Sequence, residues 1–306
     1  MKRTTSASAK HAEGGTRAGR LPTTLSPFRY PGGKSRLRPL VLDWLDSLPS
    51  RPTVFVEPFA GGASVGLAVA ELGLADEVHL IERDKDVAAV WKVALGRNCP
   101  RLCSRILAFR MSRKAVVAAL ADQRNDLVSV AFRCLLRNRV QRGGILAPCA
   151  GLLRKGEQGR GVHSRWYPET LVNRLQTIHS LAERIRFTEG DAMPLLPALL
   201  RRADSAAFVD PPYVVNGNGP GIRLYRHTQV DHERLFALLS KARSACLATY
   251  HPSLEIRRLA RQSGFSVSSR AMRTTHHSQR RELILRKPPA GALSSTTSGC
   301  LARNTA

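Results

Sequence analysis

A short β-branched run at residues 53–57 (TVFVE) stops in a turn of small residues, Pro58-Phe59-Ala60-Gly61-Gly62-Ala63-Ser64, and passes into an apolar helical pattern at 65–72. A second strand at 77–81 (EVHLI) ends on Glu82, and residues 86–95 read as the next helix. Strand, glycine turn, helix, strand and acidic residue, in that order, open a doubly wound α/β nucleotide fold. Further strands are expected at 185–189, 206–210 and 245–250, with helices at 191–202 and 230–243. The block 97–186 interrupts the alternation with helical and loop-like segments and reads as an insertion with its own task. The expected fold class is therefore α/β, a Rossmann-like doubly wound sheet with an inserted, mainly helical domain.

The turn at 58–64 is suited to a cofactor. Small residues after a strand let the backbone approach a ligand, and the following helix points its N-terminus at it. It is not a phosphate-binding P-loop, because no Gly-Lys-Ser/Thr follows at the required spacing, and the GxGxxG order of a dinucleotide site is absent. Glu82, at the tip of the second strand, is placed to accept both hydroxyls of a ribose; a solvated Glu at a strand end is the alternative. The sharpest feature is Phe208-Val209-Asp210-Pro211-Pro212-Tyr213. Two prolines cannot continue a sheet ladder, so the chain turns there and presents the Asp210 carboxylate and the Pro211 carbonyl at the strand's carboxyl end. Two acceptors beside an aromatic face suit an exocyclic amine on a flat base.

Charge divides the 306-residue chain, whose formal net charge is +25. Residues 39–96 carry 4 basic and 9 acidic side chains and 188–256 carry 7 of each, whereas 97–187 carry 18 basic against 5 acidic and 257–287 carry 9 against 1. A neutral or acidic chemical core bearing cationic surfaces implies a polyanionic partner, nucleic acid before membrane. No apolar stretch approaches the ~18 residues of a spanning helix, so no membrane association is expected. The six cysteines are scattered, and reduced thiols are the expected state. His276-His277 lacks a third ligand and reads as a basic surface turn, so no metal is expected. Residues 1–25 and 288–306 are expected to be disordered tails, the first basic; the composition of the first twenty also fits an organellar transit peptide.

Several motifs occur in the order seen in one family. Pro27-Phe28-Arg29-Tyr30-Pro31-Gly32-Gly33-Lys34 resembles the N-terminal motif of the Dam-type DNA adenine N6 methyltransferases, and Glu57 to Ser64 their cofactor glycine motif. Glu82 stands where that family has its ribose-binding acid, and Leu136-Arg137-Asn138-Arg139 resembles a Leu-Asn-Arg segment of its target-recognition region. Asp210 to Tyr213 matches its catalytic tetrapeptide, and Tyr225-Arg226-His227 with Asp231-His232 resembles the stretch after it. The resemblance spans roughly residues 26–287. It departs at Ala63, which replaces a third glycine, at Glu82, where Asp is commoner, and at Val140-Gln141-Arg142-Gly143-Gly144, which leaves the target sequence open.

The resemblance implies a catalytic domain binding S-adenosylmethionine at 26–96 and 187–287, with the target-recognition insertion at 97–186. It implies catalytic roles for Asp210, Pro211, Pro212 and Tyr213. Cofactor contacts are expected from Tyr30, Gly33, Lys34, Glu57, Phe59, Gly61, Gly62, Glu82, Asp191 and Asp210. Lys34 would pair with the methionine carboxylate or stand as an exposed helix-starting lysine; Asp191 would meet the cofactor adenine or serve as a plain helix cap. DNA contacts are expected from Arg137, Asn138, Arg139 and Arg142. The expected partner is double-stranded DNA, met by a cytoplasmic monomer. A cytosine N4 or RNA adenine methyltransferase, or a catalytically silent nucleic-acid-binding relic, are the alternatives. If DNA is the partner, affinity falls steeply with salt, with a slope set by roughly six to ten phosphates; a salt-independent affinity in a titration series would contradict the assignment.

Overall fold

The computed structural model describes residues 25–29, 34–146, 151–154, 156, 159–212, 230–273 and 279–292. Most of the two expected tails lies outside these residues. In order, the helices and strands are α1 (Arg38–Asp46), β1 (Val54–Glu57), α2 (Ser64–Leu72), β2 (Glu77–Glu82), α3 (Lys85–Ala94), α4 (Cys99–Ala108), α5 (Arg113–Ala121), α6 (Leu127–Val140), α7 (Pro168–Ser180), β3 (Ile185–Glu189), α8 (Leu196–Leu199), β4 (Ser205–Val209), α9 (His232–Ser240), β5 (Ala245–Tyr250), α10 (Leu254–Gln262), β6 (Ser266–Arg273) and β7 (Gln279–Lys287).

The strands form one seven-stranded sheet in the order β3-β2-β1-β4-β5-β7-β6. The first five run parallel, and β7 lies antiparallel to both β5 and β6. Every residue of β4 and of β5 is buried, as a parallel sheet covered by helices on both faces requires. Alternate side chains feed two apolar clusters. Phe55, Leu80, Phe208, Leu247 and Ile284 join one with α1–α4, α6 and α7, while Val56, Val209, Ala248, Leu283 and Leu285 join the other with α8–α10. The fold is the expected Rossmann-like one.

The crossover from β2 to β3 contains α3 to α7, so it holds the whole block 97–186. Where described, that block is mainly helical, and its buried residues, among them Leu102, Ile106, Phe132, Leu135 and Leu175, belong to the same apolar cluster as the sheet. An aromatic group ties its loops in, with ring centroids 5.2 Å apart for Phe109–Phe132 and 5.6 Å for Phe109–Trp166. The helices are started by their own side chains: Asp84, Asp126, Asp231 and Ser253 each accept a first-turn backbone N–H of α3, α6, α9 and α10.

Two expectations change. The helix expected at 191–202 contracts to Leu196–Leu199, because Pro197 lacks an N–H and is tolerated only in a helix's first turn. The β6/β7 hairpin was not anticipated; its strands are too rich in Ser and Arg to alternate cleanly, and only Leu283, Ile284 and Leu285 are fully apolar and buried.

Gly66, the third residue of α2, marks how closely that helix lies on the sheet. A Cβ there would stand 2.7 Å from both Glu57 Oε2 and Leu80 Cδ2. Helix propensity alone makes Gly66→Ala stabilising by roughly 1 kcal/mol. Overpacking of about 1–3 kcal/mol opposes it, and we expect a net loss of up to about 2 kcal/mol in urea unfolding; a stabilised variant would contradict this packing.

Candidate active site

Strand order reverses between β1 and β4, and in an open α/β sheet the crevice at such a switch point, outside the strands' carboxyl ends, is where ligands bind. Four carboxylates stand at those ends: Glu57 closes β1, Glu82 closes β2, Asp210 follows β4, and Glu189, which closes β3, pairs with Lys92 of α3. Glu57 is buried, and its Oε2 accepts the Gly66 N–H at 2.6 Å. It thereby caps α2, whose N-cap residue Ala63 has no side chain able to do so. Burial pushes the Glu57 carboxyl up to about 8; the Gly66 N–H opposes that shift and the Asp210 carboxylate adds to it.

Glu82 grips the glycine turn. Its Oε2 accepts the Gly61 N–H at 2.8 Å and its Oε1 the Asp84 N–H at 2.7 Å. Burial raises it to about 7 against these stabilising bonds. Each carboxylate oxygen keeps a second lone pair, so the two bonds fix its direction without exhausting it. On the other side of the turn, Trp91 Nε1 donates to the Gly61 carbonyl at 2.9 Å. Gly61 has φ 47°, and Ala63 has φ 44°, the single positive φ outside glycine among the described residues. Ala63, which replaces a third glycine, is thus strained by roughly 1–2 kcal/mol as an L-residue. Phe59 is half-buried and packs against the α9/α10 cluster; Gly62 completes the turn. Asp191 is exposed and accepts the Met193 N–H at 3.0 Å, a local turn bond.

Asp210 is oriented by a residue that the sequence reading passed over. Thr249, fully buried on β5, donates its hydroxyl to Asp210 Oδ1 at 2.8 Å. The register explains why: Val209 pairs with Ala248, so Thr249 lies level with Asp210. The next residue, Tyr250, lies 3.1 Å from His232 Nδ1 through its hydroxyl, and burial with the nearby Asp210 carboxylate raises its pKa. Pro211 is buried and Pro212 half-buried. Tyr30, Gly33, Tyr213, Tyr225 and His227 lie outside the described residues; Lys34 begins a short 3-10 turn, Lys34–Leu37.

The residues expected to touch DNA divide. Arg142 is exposed on the turn after α6. Arg137 is largely buried and pairs with Asp86 of α3 at 3.0 Å. Asn138 and Arg139 are buried and face inward, where they hold the chain at 26–29. A DNA contact from Asn138 or Arg139 is thus not what this geometry offers. The apolar faces of α6 (Leu135, Leu136, Val140) turn these two polar residues inward with them.

Residues 30–138 match the family model described as D12 class N6 adenine-specific DNA methyltransferase. Over that stretch the chain is similar to the D12 class. No curated relative matches the sequence. Among solved structures, a precorrin-6y C5,15-methyltransferase from Geobacter metallireducens GS-15 shares 9% identity over 83% of this chain and 88% of its own, with a TM-score of 0.39. An rRNA methyltransferase from Streptomyces viridochromogenes shares 13% over 87% and 91%, also at 0.39. A putative RNA methyltransferase from Pyrococcus horikoshii shares 12% over 85% and 84%, again at 0.39.

The D12 match makes the protein a methyltransferase that depends on S-adenosylmethionine, and the residues present fit that group. The turn at Gly61 admits close backbone approach, Glu82 lies beside it at the end of β2, and Asp210 adds negative charge suited to a sulfonium cation. Among the described residues no cluster of three or more His, Cys, Asp or Glu stands ready to hold a metal, and none of the helices is long and apolar enough to cross a membrane.

Because Glu57 titrates near 8 when folded and near 4.5 as an ordinary carboxyl, its contribution to stability is complete below about 4.5 and is lost as pH rises through about 8. Glu57→Gln keeps an acceptor for Gly66 and removes that titration. Thermal melts from pH 5 to 9 should therefore decline less steeply with pH in the variant than in the wild type; parallel curves would contradict a buried, proton-binding Glu57.

Proposed function

We propose that this chain is a site-specific DNA adenine N6 methyltransferase that acts on a base flipped out of the duplex. The observation that carries the reading is Asp210 at the switch point, its carboxylate oriented by Thr249 at 2.8 Å, in a chain whose residues 30–138 match an adenine-specific family. Bound S-adenosylmethionine supplies an electrophilic methyl group on a sulfonium sulfur. The task of the protein side chains is to make a poor nucleophile adequate.

The N6 lone pair of adenine is delocalised into the ring. Asp210 and the Pro211 carbonyl accept the two N6 hydrogens, draw the nitrogen toward tetrahedral geometry and aim its lone pair at the methyl carbon. Methyl transfer would form the nitrogen–carbon bond as the carbon–sulfur bond breaks with its electron pair on sulfur, and the N6 proton held by Asp210 would pass by way of its carboxylate to solvent. The Thr249 hydroxyl holds one Asp210 oxygen in place and so fixes the orientation in which the carboxylate meets the amine. Asp210 acts as acceptor and charge stabiliser, not as a strong base, since the N6 proton becomes acidic only while the methyl transfers. Tyr213 is proposed to stack on the extruded base, whose unstacking costs roughly a few kcal/mol.

Glu82 is proposed to accept the ribose hydroxyls, with Gly61 and Gly62 admitting the cofactor close to the backbone. Phosphate contacts are assigned to exposed arginines around the turn after α6. Arg142 and Arg154 flank a short antiparallel ladder in which Gln141 bridges Leu152, and Arg160 stands exposed nearby. These position the duplex without reading its sequence.

Asp210→Ala is expected to abolish methyl transfer, by at least about a hundredfold as removal of one electrostatic contact does, while leaving duplex binding in a gel-shift or anisotropy assay intact. Activity within a few-fold of wild type would sink the mechanism. Methylation of RNA, or of cytosine N4, in the same assay would redirect the reading to those substrates.

A further inference from the structure

The chain crosses its own N-terminal segment at the end of α6, and a dense set of bonds joins the two. Asn138 Oδ1 accepts the Arg29 N–H at 2.8 Å, and its amide nitrogen donates to the Arg29 carbonyl at 2.9 Å and to the Gly144 carbonyl at 2.7 Å. Arg139 donates through one guanidinium nitrogen to Asn138 Oδ1 at 2.7 Å and through another to the Pro27 carbonyl at 2.6 Å. Arg174 of α7 adds a bond to the Ser26 carbonyl at 3.0 Å. Arg139 is 5% exposed; burial, with Arg174 and Arg29 nearby, lowers its pKa to about 9. An arginine this buried, bonded to a backbone carbonyl and an amide oxygen, is costly to keep. Packing alone would be served as well by an apolar residue.

What the bonds hold is connected to the cofactor turn. Phe28, between Pro27 and Arg29, packs on Trp91 with ring centroids 6.2 Å apart. Trp91 Nε1 donates to the Gly61 carbonyl, and the Gly61 N–H is held by Glu82. Arg137 of the same tripeptide pins α3, the helix that carries Trp91, through Asp86. Every link is a direct contact.

We propose that Asn138 and Arg139 are positioning residues for the cofactor turn, acting through residues 26–29, Phe28 and Trp91 to fix Gly61. The Asn138 bond to Gly144 joins the same relay to the turn that carries Arg142. This inference rests on the reading that the Gly61 turn binds S-adenosylmethionine, and it moves Asn138 and Arg139 from DNA contact to support of the cofactor.

The test uses the full chain, with S-adenosylhomocysteine as the calorimetric probe and a methylation assay on duplex DNA. Arg139→Met keeps the packing and removes the tether to Pro27; Asn138→Asp keeps the acceptor for Arg29 N–H and removes both amide donations. In each variant the dissociation constant for S-adenosylhomocysteine should rise about tenfold, as the loss of one or two buried hydrogen bonds implies. The KM for S-adenosylmethionine should rise with it, and kcat at saturating cofactor should stay within about twofold. A merely structural role would instead shrink the active fraction, lowering kcat at unchanged KM and unchanged affinity, and that result would overturn the inference. If Arg139→Met does not fold, Asn138→Asp decides by the same readouts. A wild-type chain that binds no S-adenosylhomocysteine would overturn the cofactor reading and this inference with it, whereas wild-type binding matched by both variants would overturn this inference alone.

Discussion

Gly61 is held by both of its backbone polar groups, its N–H by Glu82 and its carbonyl by Trp91. Much else depends on that pair of bonds. A glycine turn between a strand and a helix has few side chains of its own with which to fix its shape, and here Ala63 adds left-handed strain to it. The turn is stabilised from outside, by the end of β2 and by α3, so the geometry of the switch point is set by elements that follow it in the chain. Glu57 extends the same arrangement by capping α2 from β1.

The electrostatics of the crevice follow from this construction. Two carboxyls bonded to backbone N–H groups are nevertheless raised toward neutral pH, because burial outweighs the bonds they accept. A cation arriving beside Glu57 and Glu82 would favour their ionised forms, which couples binding of a sulfonium to proton release. The positive charge of the chain lies elsewhere. Residues 97–187 hold 18 basic side chains against 5 acidic, and exposed members such as Arg142 and Arg154 stand on the turn after α6.

Much of this was legible in the sequence because strand ends carry their own signals. The strands at 185–189 and 245–250 were read to the residue, and 53–57, 77–81 and 206–210 to within one. The glycine turn, Glu82 and Asp210 announced themselves by residue type. Contacts between distant segments were not legible. Thr249 meets Asp210 only through the register of β4 and β5, which neither segment states alone. Arg137, Asn138 and Arg139 form a polar, basic tripeptide that invites a nucleic-acid reading; its direction is fixed by the apolar residues 135, 136 and 140 on the same helix, and these turn Asn138 and Arg139 toward residues 26–29. The Arg- and Ser-rich hairpin of β6 and β7 hid its strands for a related reason, since Val267, Leu283, Ile284 and Leu285 are its few apolar residues that meet the core among those described.

We propose that the crevice at the switch point directs a methyl group onto the amine held by Asp210. Incubation with methyl-labelled S-adenosylmethionine and DNA of varied sequence, followed by mapping of the modified bases, tests it most directly. Label on adenine N6 at a defined sequence is the predicted result. A folded protein that binds S-adenosylhomocysteine yet transfers no label to any DNA would contradict it.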